Sequence, residues 1–466
     1  MQALSETVIS RSGYLTQNPV NGDILHEWPR LADSQVEAGL SKAHAAFHIW
    51  RAFPLDERAA LFYRIADLFE KHADRIGRQI TVEMGKILPH SKGELALVAS
   101  IFRYYAEHAG RLLEPETIAV VGQGTATICK EPTGVILGIE PFNAPIYQAM
   151  RVAAPNLMLG NTVIVKPAEI TAGSSLMIDE VFAEAGFPAG CYQTILASVE
   201  QVSAIISDAR VRGVALTGSD RAGSSVGEQA GRAIKPVILE LGGSDAFVVL
   251  DSANIDLAAA TAATCRLIIS GQACALPKRI IVTEASAEAF IESFKQVFCH
   301  QTMGDPLEAG TTLGPMSSER AAQLLQDQYD DAVAKGATIL VPGGRTGSQG
   351  AYFKPAILTD IKPGMRLHEE EAFGPLALIF RVPDADAAIA VANDSKYGLG
   401  GSVFGEDLEE ARRVAAALDT GSVGINAFVG APIEIPFGGT KSSGVGRELG
   451  RTGMDHFANI KTYLAP

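Results

Sequence analysis

The feature that most constrains the fold is an alternation of short apolar runs with segments of helix length, which begins near residue 134. The runs TGVILGIEPF, NTVIVKPAE, VRGVALTGS and KPVILELGG each end in glycine, proline or a polar residue. Runs of this kind, separated by helices, predict βαβ units and a parallel sheet. A second series follows, with candidate strands DAFVVLD, RIIVTE, ATILVPGG, LALIFRV and GSVFGE. The sequence therefore predicts two α/β domains that join near Gly242 and Gly243.

The segments before this alternation carry other patterns. From Asp33 to Trp50 the apolar residues recur on one helical face, and a similar spacing follows Asp56, which predicts a largely helical beginning. The segment EPETIAVVGQGTATICKEP, residues 114–132, alternates apolar and polar residues around a glycine turn. This pattern predicts a β-hairpin, which either projects from the body or lies on its surface as an ordinary hairpin.

Charge and hydropathy exclude two classes of partner. The 466 residues include 53 acidic and 39 basic side chains, which gives a net charge of -14. A chain this acidic is not expected to bind a nucleic-acid backbone or an anionic membrane surface. The N-terminal segment lacks a signal-peptide pattern, and no uncharged apolar run reaches the roughly 18 residues of a spanning helix. We therefore expect a cytoplasmic protein with no nucleic-acid and no membrane partner.

Five cysteines, at positions 129, 191, 265, 274 and 299, lie far apart and form no C-x-x-C pair. This spacing favours neither a disulfide framework nor a zinc site, so no metal is expected. Cys274 lies in SGQACALPKR, where glycine and alanine neighbours leave its sulfur approachable. A free cysteine is commonly a small core residue, whereas a nucleophile needs a nearby base or a depressed pKa. The stretch alone leaves both interpretations open.

Polar residues follow several of the predicted strands. Open α/β sheets bind ligands at the carboxyl ends of their strands, where helix N-termini attract phosphate. Lys166 and Glu169 could hold the hydroxyls of a ribose or form a surface ion pair. Gly218 and Ser219 could bind a phosphate or only cap a helix. Glu240 is a candidate general base or a capping carboxylate.

Asn143 lies between two prolines in EPFNAP, which hold its backbone rigid. A fixed side-chain amide is a good donor to a developing oxyanion. Asparagine beside proline is also common in turns, so a purely structural role remains the alternative.

Together these motifs resemble the aldehyde dehydrogenase superfamily over essentially the whole chain. The motifs occur in the family's order, from NPVNGD through PFNAP, KPAE, LTGS, ELGG, GQAC, EEEAFGPL and NDSKYGL to PFGGTKSSGVGRE. The spacing between Glu240 and Cys274 also matches the family's hydrolytic members. Within the family, LELGGSDAFVVL and SDRAG are most similar to the succinate-semialdehyde dehydrogenase branch.

The resemblance implies an α/β fold in three parts. A Rossmann-type NAD-binding domain is expected over residues 1–113 and 135–242, and a catalytic domain over residues 243–436. Oligomerisation elements are expected at 114–134, the predicted hairpin, and at 450–466. They imply a homodimer or a homotetramer.

The resemblance also assigns the chemistry. Cys274 is the expected nucleophile, Asn143 with the Cys274 backbone N–H the expected oxyanion hole, and Glu240 the expected general base for thioester hydrolysis. The presence of Glu240 argues against the family's branch that forms acyl-coenzyme A. The implied reaction is oxidation of an aldehyde to a carboxylic acid through a thiohemiacetal and a thioester.

The cofactor positions follow from the same match. Lys166 and Glu169 correspond to the adenine-ribose positions, Gly218 and Ser219 to the pyrophosphate turn, and Glu371 with Phe373 to the nicotinamide-ribose positions, while Leu241 completes the expected contacts. A carboxylate accepts from a free 2′-hydroxyl and repels a 2′-phosphate. The sequence therefore predicts a preference for NAD, with NADP less favoured.

The substrate is less constrained than the reaction. Arg151 matches an arginine that binds the substrate carboxylate in the semialdehyde branch, although a structural ion pair is the alternative. That branch commonly carries a second arginine where this chain has Ile268, and an asparagine where it has Ile269. Phe142 and Ala144 flank Asn143 where tryptophan and phenylalanine are usual, so a wider tunnel is expected. We therefore expect succinate semialdehyde or a related acid semialdehyde. The alternatives are a broad-specificity, aromatic or long-chain aldehyde, or a non-catalytic relative that binds or supports other molecules.

Overall fold

Three large sheets organise the chain in a computed structural model that describes residues 13–347 and 349–466. The N-terminal part forms β1 (Gly13–Gln17), β2 (Ile24–Pro29), α1 (Asp33–Trp50), α2 (Leu55–Lys71), α3 (Ala73–Met84), α4 (Leu88–Leu112), β3 (Glu116–Val120) and β4 (Gly124–Pro132). The next part forms β5 (Val135–Ile139), α5 (Pro145–Leu159), β6 (Thr162–Lys166), α6 (Ala172–Ala185), β7 (Tyr192–Thr194), α7 (Val199–Ser207), β8 (Val211–Thr217), α8 (Asp220–Arg232) and β9 (Val237–Glu240).

The C-terminal half continues the alternation. Its elements are β10 (Asp245–Val249), α9 (Ile255–Leu267), β11 (Pro277–Thr283), α10 (Glu284–Phe298), α11 (Glu319–Ala334), β12 (Thr338–Val341), β13 (Gly344–Arg345), β14 (Phe353–Lys354), β15 (Ala356–Thr359), α12 (Arg366–Glu369), β16 (Leu376–Val382), α13 (Ala385–Asn393), β17 (Tyr397–Gly398), β18 (Gly400–Phe404), α14 (Leu408–Ala417) and β19 (Ser422–Ile425). The chain ends with β20 (Thr440–Lys441), β21 (Gly444–Val445), α15 (Gly450–Asp455) and β22 (Ala458–Ala465).

The predicted first helix is confirmed, since α1 runs from Asp33 to Trp50 and buries the predicted apolar face. The second apolar pattern spans two helices rather than one. The backbone leaves the helical path at His72, so that α2 ends there and α3 begins at Ala73. Helices α2 to α4 pack together over one side of the first large sheet.

The first large sheet has six strands in the order β21-β9-β8-β5-β6-β7, and only β21 is antiparallel. The chain builds outward from β5 through β6 to β7, then returns to the other side of β5 for β8 and β9. This order is the doubly wound arrangement, whose ligand crevice lies where the winding direction reverses. The predicted α/β class is confirmed.

Helix α5 crosses this sheet in the interior, and all of its residues are buried. Its sequence PIYQAMRVAAPNLML is apolar on every side, as a helix enclosed by protein requires. Pro145 starts the helix, where its missing N–H costs nothing, and Gly160 ends it at φ 111°. Asn143 lies two positions before the first residue of this fixed helix, and Arg151 lies in its middle.

The second large sheet has seven strands in the order β12-β15-β16-β11-β10-β18-β19, all parallel except β12. Only four residues, Leu241–Ser244, connect β9 of the first sheet to β10 of the second. The carboxyl edge of the first sheet therefore meets the amino edge of the second along this short connection.

The predicted hairpin is present as β3 and β4, which pair antiparallel and are extended by the C-terminal strand β22. This three-stranded sheet joins the two segments expected to mediate oligomerisation. In the described part of the chain, none of the helices combines the length and the hydropathy needed to cross a bilayer.

Candidate active site

The carboxyl edge of the six-stranded sheet collects most of the predicted site residues. Asn143 follows β5, Lys166 ends β6, Gly218 and Ser219 follow β8, and Glu240 ends β9. Parallel strands direct these ends to one edge, which is where doubly wound sheets bind their ligands. The predicted positions therefore lie along one continuous edge.

The remaining predicted residues come from the amino edge of the seven-stranded sheet. Cys274 lies three positions before β11, and Glu371 and Phe373 lie just before β16. Strands β11 and β16 are parallel neighbours, so the two loops leave the sheet side by side. The opposed sheet edges thus bring the cysteine loop and the glutamate loop against the first sheet's carboxyl edge.

Cys274, Asn143 and Arg151 line a single cavity of about 360 Å³. Its walls are mainly apolar and include Ile268 and Ile269, the two residues that replace polar ones of the semialdehyde branch. The size suits a small organic ligand. The half-buried sulfur of Cys274 is therefore accessible to a ligand in this cavity.

The backbone before Cys274 is strained. Ile269, Ser270 and Gly271 take consecutive left-handed conformations, with φ of 54°, 52° and 74°. A Cβ on Gly271 would lie 2.3 Å from the carbonyl oxygen of Gly374, so only glycine fits there. Such strain persists only where the surroundings fix the backbone, and it concentrates at functional sites.

Arg266 supplies that fixation. Its fully buried guanidinium donates to the carbonyl oxygens of Gly271 at 3.1 Å, Ala372 at 2.8 Å and Gly374 at 2.6 Å. These bonds tie the cysteine loop to the loop that carries Glu371 and Phe373. One buried cation therefore holds both loops of the second sheet in register.

Lys278 is a second buried cation at this point. Its ammonium donates to the carbonyl oxygens of Cys274 at 2.6 Å and Gly243 at 2.7 Å, and it pairs with the Glu371 carboxylate. A Cβ on Gly243 would lie 2.6 Å from the Cys274 carbonyl oxygen, which explains the glycine. Lys278 therefore connects the cysteine, the β9–β10 connection and Glu371.

Burial dominates the titration of the two catalytic candidates. It raises the pKa of the Cys274 thiol to about 11, while the nearby Arg151 and Lys278 cations act in the opposite direction. Burial likewise raises the pKa of Glu240 well above its usual value, and the charge of Glu448 adds to this. Within the described chain, neither carboxylate oxygen of Glu240 has a hydrogen-bond partner. A carboxyl group of this kind keeps its proton to a higher pH than an exposed glutamate does.

Asn143 is held by a buried ion pair on α4 and the turn before it. The Lys86 ammonium donates to the Asn143 carbonyl oxygen at 3.0 Å and pairs with Glu94. Glu94 also accepts from the backbone N–H groups of Ile146 at 2.7 Å and Tyr147 at 2.8 Å, in the first turn of α5. A carboxylate at a helix N-terminus satisfies otherwise unpaired N–H groups. The loop of Asn143 is therefore anchored on both sides.

Arg151 forms the structural ion pair that the sequence left open as one of its two roles. Its buried guanidinium pairs with Glu448 and lies between the rings of Tyr147 and Phe437. Burial disfavours the charge, but Glu448, Tyr147, Glu240 and Cys274 together outweigh this and raise the pKa of Arg151 above its usual value. The Arg151 Nε has no hydrogen-bond partner among the described residues, and the residue lines the cysteine cavity.

A second cavity, of about 370 Å³, brings together Glu169, Glu371 and Phe373, three of the predicted cofactor residues. Phe142 lines this cavity and meets the Phe373 ring at a centroid distance of 6.2 Å. The structure thus puts Phe142, which was expected to contact the substrate, among the expected cofactor residues. The cavity has a mainly apolar lining and lies beside the ends of β5 and β6, next to the winding reversal where doubly wound sheets bind nucleotides.

The other cofactor positions adjoin this cleft. Ser219 caps α8 and accepts from the Ala222 N–H at 3.3 Å, and the Gly218 N–H donates to the Glu240 carbonyl at 2.9 Å. Leu241 is buried, and its N–H donates to the Ser443 carbonyl at 3.0 Å. Lys166 lies 5.3 Å from the centroid of the Tyr14 ring. Glu169 pairs with Arg30 at 3.0 Å, so the ion pair weighed for Lys166 and Glu169 has a different cation.

The sequence reasoning missed the buried cations Lys278, Arg266 and Lys86. The available signal was a charge inside an otherwise apolar element, as in PKRIIVT, because a lysine or arginine is rarely fully buried without a partner. The partners are carbonyl oxygens and carboxylates far away along the chain, which a linear pattern does not reveal.

The chain matches the aldehyde dehydrogenase family over residues 9–463. It is 46% identical over 452 residues to the succinate-semialdehyde dehydrogenase [NADP(+)] of Deinococcus radiodurans, which covers 97% of this chain and 94% of that protein. It is 41% identical over 450 residues to succinate-semialdehyde dehydrogenase [NADP(+)] 1 of Mycobacterium ulcerans, covering 96% of this chain and 98% of that protein. These names do not support the predicted preference for NAD.

Solved structures agree. The crystal structure of succinic semialdehyde dehydrogenase from Streptococcus pyogenes, in complex with NADP+, superposes with a TM-score of 0.94 at 38% identity and covers 97% of this chain and 100% of that one. Succinate-semialdehyde dehydrogenase from Burkholderia pseudomallei gives a TM-score of 0.94 at 33% identity, with 98% and 95% covered. The predicted resemblance is confirmed, and the chain belongs to the aldehyde dehydrogenase family and is an oxidoreductase.

Proposed function

We propose that the protein oxidises succinate semialdehyde, or a closely related acid semialdehyde, to the corresponding dicarboxylic acid, with NADP as the hydride acceptor. The observation that carries this proposal is the identity of 46% over nearly the whole chain to a protein named for this activity. The cavity shared by Cys274, Asn143 and Arg151 supports it, because it offers a thiol, an amide and a cation to one small ligand.

The chemistry starts at the Cys274 sulfur. Because burial raises the pKa of this thiol, the thiol must lose its proton before it attacks, and the nearby Arg151 and Lys278 cations favour the thiolate. The thiolate adds to the aldehyde carbon and forms a thiohemiacetal, whose oxygen gains negative charge. The Asn143 side-chain amide and the Cys274 backbone N–H are the proposed donors to this oxygen.

The thiohemiacetal must next lose a hydride and become a thioester. Glu169, Glu371 and Phe373 would hold a nicotinamide cofactor in their cleft, and that cofactor would supply the acceptor for the hydride. Lys166 and Glu169 are proposed to hold the adenine ribose, and Ser219 at the N-terminus of α8 to hold the pyrophosphate. Lys278 orients the Glu371 carboxylate through their ion pair.

Hydrolysis completes the cycle. Glu240 takes a proton from water as the water oxygen adds to the thioester carbon, and the carbon–sulfur bond then breaks. The carboxylic acid leaves and the Cys274 thiolate is restored. The unpaired, buried carboxylate of Glu240 supports this role, since a carboxylate held out of water is a stronger base.

A second candidate is an aromatic or longer aldehyde with the same chemistry. The apolar wall formed by Ile268, Ile269 and Phe437 favours it, and so does the pairing of Arg151 with Glu448, which already compensates the cation. The unpaired Nε of Arg151 favours the acid semialdehyde.

We also propose that the sheet of β3, β4 and β22 mediates assembly into a homodimer or homotetramer. It exposes Val121, Ile460 and Leu464, which an isolated subunit would leave in water. The domain boundaries at residues 113, 135 and 242 belong to the same proposal.

A panel of aldehydes tests the function. Purified protein is mixed with NADP or NAD and with succinate semialdehyde, butanal or benzaldehyde, and formation of the reduced nicotinamide is followed by its near-ultraviolet absorbance. We expect the highest kcat/KM for succinate semialdehyde. A higher kcat/KM for benzaldehyde would replace the proposed substrate by the second candidate.

A further inference from the structure

Arg30 approaches Glu169 from a distant part of the chain. It directly follows β2, whereas Glu169 lies in the turn after β6, and the Arg30 Nη2 is 3.0 Å from the Glu169 Oε1. The side chains are 31% and 49% exposed, so a ligand can reach the pair from solvent. A carboxylate that seemed isolated in the sequence is therefore partly neutralised.

Two cations flank the Glu169 carboxylate. Besides Arg30, the Lys166 ammonium lies against the Tyr14 ring in the same corner, and the Tyr14 hydroxyl is fixed on the Ala197 carbonyl at 2.7 Å. Burial lowers the pKa of Lys166, whereas Glu169 opposes that change. Glu200, another acid in the field of Arg30, accepts from the Ser198 hydroxyl at 2.7 Å.

The Arg30 guanidinium has unused donors. Its Nε is buried and has no partner among the described residues, and one Nη donates to Glu169. A guanidinium is planar and presents several N–H groups in a fork that matches phosphate oxygens. It can therefore keep a carboxylate on one side and accept an anion on another.

We propose that Arg30 is the specificity-determining residue for the 2′-phosphate of NADP. It neutralises Glu169, which alone would repel the phosphate, and it donates to the phosphate oxygens from β2. This inference rests on the proposed function, which puts the adenine ribose at Lys166 and Glu169. It reconciles a carboxylate at a position typical of NAD binding with the similarity of this chain to proteins named for NADP.

A structural ion pair is the competing explanation. A pair this exposed contributes little to folding stability, so removal of Arg30 should leave the fold intact. Arg30→Gln removes the charge and keeps donors, Arg30→Lys keeps the charge, and Glu169→Gln removes the repulsion. Arg75→Gln, which breaks the exposed Arg75–Glu180 pair on α3 and α6, is the matched control.

The affinities for 2′,5′-ADP and 5′-AMP, measured by calorimetry, test recognition of the 2′-phosphate separately from catalysis. The wild type should bind 2′,5′-ADP more tightly than 5′-AMP. Arg30→Gln should weaken 2′,5′-ADP by about tenfold or more, as expected for lost charge-assisted hydrogen bonds, and leave 5′-AMP within about twofold. Arg30→Lys should retain part of the affinity for 2′,5′-ADP that Arg30→Gln loses. Glu169→Gln should bind 2′,5′-ADP more tightly than the wild type does. Arg75→Gln should change the affinity for neither ligand.

Three outcomes would overturn the inference: equal weakening of both ligands by Arg30→Gln, no change in either, or a wild type that prefers 5′-AMP. Because no aldehyde takes part, these outcomes are distinct from failure of the proposed function. Wild-type oxidation of succinate semialdehyde with either of the first two results would leave that function in place and remove only the role of Arg30. A wild type that prefers 5′-AMP would also remove NADP as the proposed acceptor, while oxidation of the aldehyde would still stand.

Discussion

The ammonium of Lys86 donates to the backbone carbonyl oxygen of Asn143 over 3.0 Å. Its partner Glu94 accepts from the backbone N–H groups of Ile146 and Tyr147, one and two positions beyond Pro145. Lys86 and Glu94 line the same cavity as Cys274, and their bonds to the Asn143 loop do not involve Cys274. The direction of the Asn143 amide therefore depends on two charges that α4 and its preceding turn provide.

Loss of these charges should slow catalysis more than it weakens substrate binding. The double variant Lys86→Met with Glu94→Gln avoids an uncompensated buried charge, which would itself unfold the site. We expect kcat to fall by about tenfold or more, because a displaced oxyanion donor costs transition-state stabilisation, while KM changes little. Steady-state kinetics measures kcat and KM separately. Lys86→Arg, which keeps the charge, should have a higher kcat than the double variant. A raised KM at unchanged kcat would contradict the positioning role.

The Cys274 thiol should react slowly in the absence of cofactor. Burial raises its pKa to about 11, so at neutral pH only a small fraction is the reactive thiolate. The rate of alkylation by iodoacetamide should therefore rise about tenfold per pH unit between about pH 7 and about pH 9, without a plateau. Mass spectrometry of the peptide carrying Cys274 follows the rate, and Cys274→Ala controls for the other four thiols. A plateau near neutral pH would mean that the neighbouring cations overcome the effect of burial.

The sequence predicted the strand ends and the residues on them, because β-branched runs and the doubly wound order determine which residues share an edge. Asn143, Gly218 and Glu240 follow from this local information. The cavity partners of Cys274 required the fold, since its loop comes from the other sheet. The family resemblance supplied that pairing before the structure did.

The ion pairs were beyond the sequence for a physical reason. Arg30 and Glu169 lie 139 positions apart in the chain. Arg151 and Glu448 lie 297 positions apart, since 448 minus 151 is 297. Charge compensation depends on distance in space, which no periodicity encodes. The prediction that NAD is preferred considered the negative charge of Glu169 but not the positive charge of Arg30, which pairs with it.

Glu240→Gln should separate the two halves of the reaction. The amide keeps the shape of the side chain but cannot take a proton from water, so thioester hydrolysis should slow by about a hundredfold. With a saturating aldehyde, rapid mixing should give a burst of reduced cofactor followed by slow turnover. If neither a burst nor an acylated Cys274 is detected by mass spectrometry, Glu240 acts before the thioester forms.

Lys278→Met should destabilise the fold strongly. Its ammonium is fully buried and compensates Glu371, so its removal leaves a buried carboxylate without a cation. We expect the free energy of unfolding to fall by about 3–5 kcal/mol. Denaturant titration measures this, and the double variant Lys278→Met with Glu371→Gln should recover part of the loss. Arg232→Gln, which breaks an exposed pair with Glu228, should change stability little. If Lys278→Met and Arg232→Gln lowered the free energy of unfolding equally, Lys278 would not have the structural role proposed here.

Arg151 decides whether the substrate carries a carboxylate. Substitution of Arg151 alone would leave Glu448 buried and unpaired, so the informative variant is Arg151→Gln with Glu448→Gln. If the Nε and the charge of Arg151 bind the substrate carboxylate, kcat/KM for succinate semialdehyde should fall by about tenfold or more. Butanal, which has the same number of carbons and no carboxylate, should lose no more than about twofold, because its contacts are with the apolar wall. The ratio of the two kcat/KM values is measured on one preparation, so that partial unfolding cancels. An unchanged ratio would mean that Arg151 serves only its ion pair and that the aldehyde is recognised by Ile268, Ile269 and Phe437.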